Sequence, residues 1–206
     1  SPTGDYMGLT CFLNGSLARE QVRNEHSLDW KGFSEMLRAT PPGNNGSIMF
    51  PWFEAEITPD VRTPGVRRVD LAAGDKARNV RAVVEAQMMA LANHSRWMGV
   101  EVDVIHATGG AAVNTDILQV LADVFEAKVR RFKVTNSACL GAALRAYHAE
   151  ATANGSGLSW EKVVDGIAVP VTESPIMPKQ SSVKTYTRLR RRYAKLEPLA
   201  ISGCSD

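Results

Sequence analysis

Cysteine is scarce in this chain of 206 residues: Cys11, Cys139 and Cys204 are odd in number and share no metal-ligand spacing. That excludes a fully paired disulfide framework and a cysteine zinc site. Cys11 and Cys139 stand in apolar settings and read as small buried hydrophobes, Cys204 in a polar tail, and a reducing, cytoplasmic setting is expected. Net charge is small as well, a formal +2 from 24 basic and 22 acidic side chains, which argues against a general nucleic-acid binder. No apolar run reaches the eighteen or so residues of a membrane-spanning helix, and no basic stretch followed by an apolar one opens the chain. His26, His94, His106 and His148 form no ligand spacing, so no metal site is expected, and His106 reads as a satisfied core histidine in a strand. Asn-x-Ser triplets begin at Asn14, Asn45, Asn93 and Asn154 and read as chance occurrences. No internal repeat stands out.

What is present is an ordinary apolar fraction, 44%, at a length suited to one domain with a substantial core. Residues 6–13 read as a short apolar strand, broken by Asn14-Gly15-Ser16, after which a helix starts at Leu17. Trp30, Phe33, Met36 and Leu37 are spaced for the buried face of a second helix. A loop at 41–46 and a strand at 48–53 follow, and 54–74, without a clear period, reads as a surface excursion. The spacing of Val80, Val84, Met88 and Leu91 predicts a long, largely buried helix from Arg78 to Trp97. Next come a strand at 102–107, a helix at 115–127 and a strand at 129–134. A small-residue helix capped by Asn136 or Ser137 runs to about Ala149, its Gly141-Ala142-Ala143 allowing close approach of another backbone. In the last helix Val183, Tyr186, Leu189, Tyr193 and Leu196 form one stripe, with Arg188, Arg190, Arg191 and Arg192 as its solvated face. Strands and helices alternating in this way give an α/β domain.

The stretch Thr108-Gly109-Gly110-Ala111-Ala112-Val113-Asn114 joins the 102–107 strand to the next helix. Glycine has no Cβ, so a ligand can lie against this backbone beside the unpaired N–H groups of a helix start. An ordinary tight turn fits the same residues. Asp116, in a first turn, and Asp123, beside an apolar face, read as structural carboxylates, the second paired with a base or a backbone amide.

Ala107-Thr108-Gly109-Gly110, the run Ile117 to Val124, and Ser137 to Ala143 resemble the C-terminal domain of the FGGY carbohydrate kinases, sugar kinases of the actin-like ATPase superfamily. Tyr6 to Glu20, Glu56-Ile57-Thr58-Pro59 and Tyr193 to Pro198 are similar to the xylulokinase branch, the eukaryotic type in particular. The resemblance runs from about Tyr6 to Pro198 in one register. It implies a ribonuclease-H-like, actin-like ATPase fold, with 1–206 a single C-terminal, nucleotide-binding domain that lacks the N-terminal domain and is incomplete at its N-terminus.

The resemblance also implies a nucleotide site. Gly110 and Ala111, with Gly109, would lie against the adenosine, and Asn114 would offer its amide to the adenine edge or ribose; its other reading is a helix N-cap. Trp30 matches an aromatic lining the nucleotide pocket, or is a core residue of its helix. Gly15 matches a glycine that admits the nucleotide, and Arg19, one turn on, can reach a phosphate. The family's catalytic aspartate lies upstream of the matched region, so no catalytic residue is expected here. The implied activity is ATP- and Mg²⁺-dependent phosphorylation of D-xylulose to D-xylulose 5-phosphate, with an N-terminal sugar-binding domain as partner and neither nucleic acid nor membrane involved. The alternatives are a kinase for another sugar such as ribulose, a non-catalytic nucleotide-binding or regulatory module, and a basic interaction domain using the C-terminal arginines.

Overall fold

A computed structural model describes residues 4, 6–132, 136–167, 169 and 175–203. Along them run α1 (Ser16–Glu25), α2 (Trp30–Ala39), β1 (Ile48–Phe50), β2 (Arg67–Val69), α3 (Lys76–His94), β3 (Val104–Ala107), α4 (Thr115–Phe125), β4 (Lys128–Arg131), α5 (Ser137–Ala153), α6 (Trp160–Val164) and α7 (Gln180–Ser202). The helix starts follow local chemistry. Asp29 accepts from the Gly32 amide at 2.6 Å, Asp75 from Arg78 at 3.1 Å, and Asn136 from Cys139 at 3.3 Å, each satisfying an amide that the helix cannot. At the other end of α7, Gly203 adopts φ +74°, the left-handed cap that a side chain would strain.

The core forms around α3, which is buried nearly all round and is packed by α1, α2, α4, α7 and β1. Its apolar residues meet Phe33 and Leu37 of α2, Tyr186 and Tyr193 of α7, and Ile117, Leu118 and Leu121 of α4. Two short ladders flank it. β1 and β2 pair antiparallel, with Ile48 opposite Val69 and Phe50 opposite Arg67. β3 and β4 pair parallel, Val104 opposite Lys128, with α4 as the crossover that a parallel pair needs. Ile176 adds an antiparallel bridge to Val129.

Several sequence expectations are corrected. Residues 6–13 form no strand: no ladder partner runs beside them among the described residues, and the Leu13 amide donates to Glu56 instead. The 54–74 excursion contains β2, too short at three residues to betray an alternation but held in register by β1. Cys11 and Cys139 are exposed, because neither the 6–13 segment nor the first turn of α5 is covered. Cys204, and positions 133–134 of the expected 129–134 strand, lie outside the described residues. His106 is exposed too, on the outer face of β3, with Phe132 edge-on at 5.1 Å. No described atom comes within 4 Å of a Cβ built on Gly141, so no described backbone makes the close approach that its lack of a side chain allows. The arginines of α7 divide: Arg188 and Arg191 are solvated, whereas Arg190 donates to Asn93 and to the carbonyls of Ala92 and Val124, tying α7 to α3 and α4.

Candidate nucleotide site

The loop after β3 turns on Gly109, whose φ of +84° and ψ of −175° lie in a region open essentially to glycine alone. A short 3-10 turn, Gly110–Val113, then delivers the chain to α4. No described atom stands within 4 Å of a Cβ built on Gly109 or Gly110, so among the described residues this bend is an open cradle and not a glycine pair demanded by packing. Asn114 caps α4, its side-chain oxygen accepting from the amides of Asp116 at 3.1 Å and Ile117 at 3.2 Å. Its amide also donates to Ser34 Oγ at 2.8 Å. One of the two amide N–H groups is therefore spent on α2, and the other meets no partner among the described residues.

Ser34 stands one turn beyond Trp30, so the loop and the aromatic border the same side of α2. Trp30 is 42% exposed; Phe33, not Trp30, fills the core position. The indole meets Phe33 edge-on at 5.4 Å, and the Arg23 guanidinium carbon lies 4.6 Å over its ring. Arg38, a further turn along α2, ion-pairs with Asp116 at 2.5 Å and locks α2 against the start of α4.

Gly15 and Arg19 form a second group. They border a cleft of about 170 Å³ whose wall includes Phe12, Trp52, Glu56 and Tyr193. Glu56, which sequence reasoning gave no role, organises this corner. Its carboxylate accepts from the amides of Leu13 at 2.7 Å, Asn14 at 3.0 Å and Ile57 at 2.9 Å, and from the Asn14 side chain at 3.1 Å. Gln87 of α3 is the other missed residue: its amide donates to the carbonyls of Asn14 at 2.7 Å and Gly15 at 2.6 Å, and its oxygen accepts from Arg19 at 2.5 Å. Gln87 is a polar side chain within the expected buried helix, and that is the signal that could have found it; Glu56, in a stretch without a period, carried none.

Arg19 is buried, and no carboxylate pairs with it among the described residues. Burial lowers its pKa from the usual arginine value, with the charge of Glu20 opposing, yet a guanidinium stays charged. No hydrogen bond or ion pair joins the Gly15–Arg19 group to the Gly109–Asn114 group among the described residues. The link between them is α1 itself, which carries Arg23 one turn beyond Arg19 and over Trp30.

The expected carboxylates hold structure. Asp123 accepts from the Lys179 amide at 2.7 Å and the Gln119 side chain at 2.9 Å. Among the described residues no three acidic, histidine or cysteine side chains gather into a metal cage. No helix among them is long and apolar enough to cross a membrane.

Comparison with known proteins identifies the class. The C-terminal domain of the FGGY family of carbohydrate kinases matches residues 3–150, and the chain belongs to that family. It is 41% identical over 204 residues to the xylulose kinase of Rattus norvegicus, covering 96% of this chain and 37% of the relative. The Mus musculus xylulose kinase is 40% identical over 204 residues, 96% of this chain and 36% of that one. Among solved structures, ligand-bound xylulose kinase from Lactobacillus acidophilus superposes with a TM-score of 0.76 at 21% identity, covering 92% of this chain and 39% of that one. The fold is that of the actin-like ATPases. The chain thus spans a little over a third of the length of the curated relatives it matches.

Proposed function

We propose that this chain supplies the ATP-binding part of a kinase that phosphorylates D-xylulose to D-xylulose 5-phosphate. The observation that carries this reading is the 41% identity, over 96% of the chain, to a protein named xylulose kinase. The geometry is compatible with the nucleotide half. The open bend at Gly109, Gly110 and Ala111 leaves room for an adenosine that any larger side chain would fill. Trp30 offers an exposed ring nearby, and Asn114 a spare amide N–H. Arg19, buried without an acidic partner beside the helix start at Gly15, is a cation suited to a phosphate.

The whole of 1–206 acts as one C-terminal domain. The residues beyond the family match include α7, whose Tyr186 and Tyr193 complete the core around α3, so they are not an appendage. In the complete kinase this domain faces an N-terminal, sugar-binding one. The exposed Tyr6, Met7, Leu9, Trp97 and Val113 provide apolar surface for such a neighbour. ATP supplies the transferred phosphoryl group, and Mg²⁺ offsets its charge. The chain's own residues bind and orient the nucleotide and, with the domains closed, exclude water from the transfer. No proton acceptor for the sugar hydroxyl is assigned within 1–206, so the isolated chain has no kinase activity. A cytoplasmic location accords with such a role.

The test is a coupled ADP-release assay on the full-length protein with D-xylulose and D-ribulose, parent against Gly110→Val. Xylulose is the better substrate of the two. The valine raises the Michaelis constant for ATP at least tenfold, leaves that for sugar within twofold, and leaves the melting temperature unchanged, because a Cβ at this position meets no described atom within 4 Å. Unchanged ATP dependence removes Gly110 from the site. Turnover of ribulose in preference to xylulose reassigns the substrate, and sustained xylulose-dependent turnover by residues 1–206 alone overturns the division of labour.

A further inference from the structure

A cleft of about 360 Å³ opens between β2 and the C-terminal half of α7, a size suited to a small organic ligand. Its floor is apolar, formed by the buried Phe50 with Leu196 and Leu199. Its walls bring three arginines, Arg67, Arg68 and Arg192, against one carboxylate, Asp70.

Two of these cations are already held. Arg192 donates to the Gly46 carbonyl and, at 2.9 Å, to Asp70, which fixes its guanidinium at the rim. Arg68 donates to Asn79 at 2.8 Å and has Glu25 at 3.6 Å. Arg67 differs. It stands directly opposite Phe50 in the β1–β2 register, it is exposed, and no hydrogen bond or acidic partner meets it among the described residues. Beyond the rim, Arg188, Arg191 and Lys195 on the outer face of α7 are exposed and likewise have no acidic partner among the described residues. Unbalanced positive charge over an apolar floor attracts anions and rewards those that also carry an apolar body.

We propose that this cleft binds a small amphipathic organic anion, an alkyl or aryl phosphate or carboxylate. Its apolar body lies on Leu196, Leu199 and Ala200, over the buried Phe50, and its head meets Arg67, with the fixed Arg192 alongside. The same chemistry exists as a free molecule and as a lipid headgroup, and a cleft of this size favours the free molecule.

The experiment is isothermal titration of hexyl phosphate into the chain, with inorganic phosphate and hexanol as the two half-ligands. One site is expected, with each half-ligand at least tenfold weaker. Arg67→Glu weakens hexyl phosphate at least tenfold with no change in melting temperature, since among the described residues no side-chain hydrogen bond or ion pair of Arg67 is lost, and Leu199→Glu weakens it as well. Gly110→Val leaves the binding unchanged, which separates this cleft from the nucleotide site and makes its failure independent of the kinase reading. No binding of hexyl phosphate, equal binding of inorganic phosphate, or indifference to Arg67→Glu overturns the proposal. Sedimentation with phosphatidic-acid vesicles is the second arm. No co-sedimentation is expected, and co-sedimentation abolished by Arg67→Glu overturns the free-molecule assignment in favour of a lipid surface.

Discussion

The helices α3 and α5, of 19 and 17 residues, have similar lengths and opposite surroundings. α3 is buried on nearly every side and holds even its charges internally, whereas α5 has no buried residue and packs chiefly against the short α6. In α3, Glu85 accepts from Arg81 at 2.7 Å, from the Tyr186 hydroxyl at 2.8 Å and from the Gly43 amide at 2.8 Å, and Arg81 also reaches Tyr186 at 3.0 Å and the Leu37 carbonyl at 3.2 Å. One buried charge pair thereby joins α2, α3, α7 and the 41–46 loop. Among the described residues nothing comparable anchors α5, whose contacts include the stack of His148 on Trp160 at 4.1 Å and a hydrogen bond from Thr108 to Ser137 at 2.8 Å. The contrast teaches where stability and function separate. The α3 side is complete in itself, while the candidate nucleotide loop lies between the two, backed by α4 and open outward.

The contrast breaks most visibly at Glu85. Glu85→Ala leaves Arg81 charged and buried without its partner and is expected to cost about 3–5 kcal/mol. Tyr147→Ala on α5, where the ring is 56% exposed, is expected to stay within about 0.5 kcal/mol. Urea denaturation of both variants measures this, and similar losses would abolish the distinction between the two sides.

Gly109→Ala sharpens the position of the loop between them. A Cβ there meets no atom, but the backbone conformation is nearly forbidden to alanine, so the expected cost is about 1–3 kcal/mol. Gly110 has no positive φ, and alanine there is expected to be neutral in the same measurement. Equal costs at the two positions would mean that the bend is not set by Gly109.

The smallest effect concerns the far end of α3, where His94 Nε2 lies 3.0 Å from Glu197 of α7. The hydrogen bond to Glu197 raises the His94 pKa, opposed by burial and aided by the charges of Glu197 and Glu56. The folded state therefore holds this proton more tightly than the unfolded chain does. The stabilisation is complete below the usual histidine range and is lost as pH rises through the higher folded value. Melting temperatures taken between about pH 6 and pH 8 should fall further for the parent than for His94→Gln. Parallel slopes would show that the pair contributes nothing.

Much of this was legible in the residues. The stripes of α3 and α7, the strand–glycine–helix passage at 104–125 and the cap at Asn114 follow from periodicity and side-chain chemistry that act within one turn of the chain. Residues 6–13 misled because apolarity alone does not make a strand; a ladder neighbour must satisfy its amides, and here Glu56 takes the amide of Leu13. The candidate loop was half legible as geometry. The cap at Asn114 was read from the sequence, whereas its reach across to Ser34 was not. Glu56 and Gln87 stayed silent, since their partners lie 43 and 73 positions away in sequence.

By itself, then, the sequence determined the stripes and burial of α3 and α7 and the caps at Asn114 and Asn136, because these depend on spacing over short stretches, while its likeness to known kinases pointed to the family. Only the tertiary structure decided which polar groups face inward, that Trp30 is exposed while Phe33 fills the core, and that Arg19 is buried without an acidic partner among the described residues. It also decided that Arg67 and Arg192, far apart in the chain, share one cleft. Such pairings depend on which elements pack together, and a side chain's charge carries no record of the neighbour that packing will bring to it.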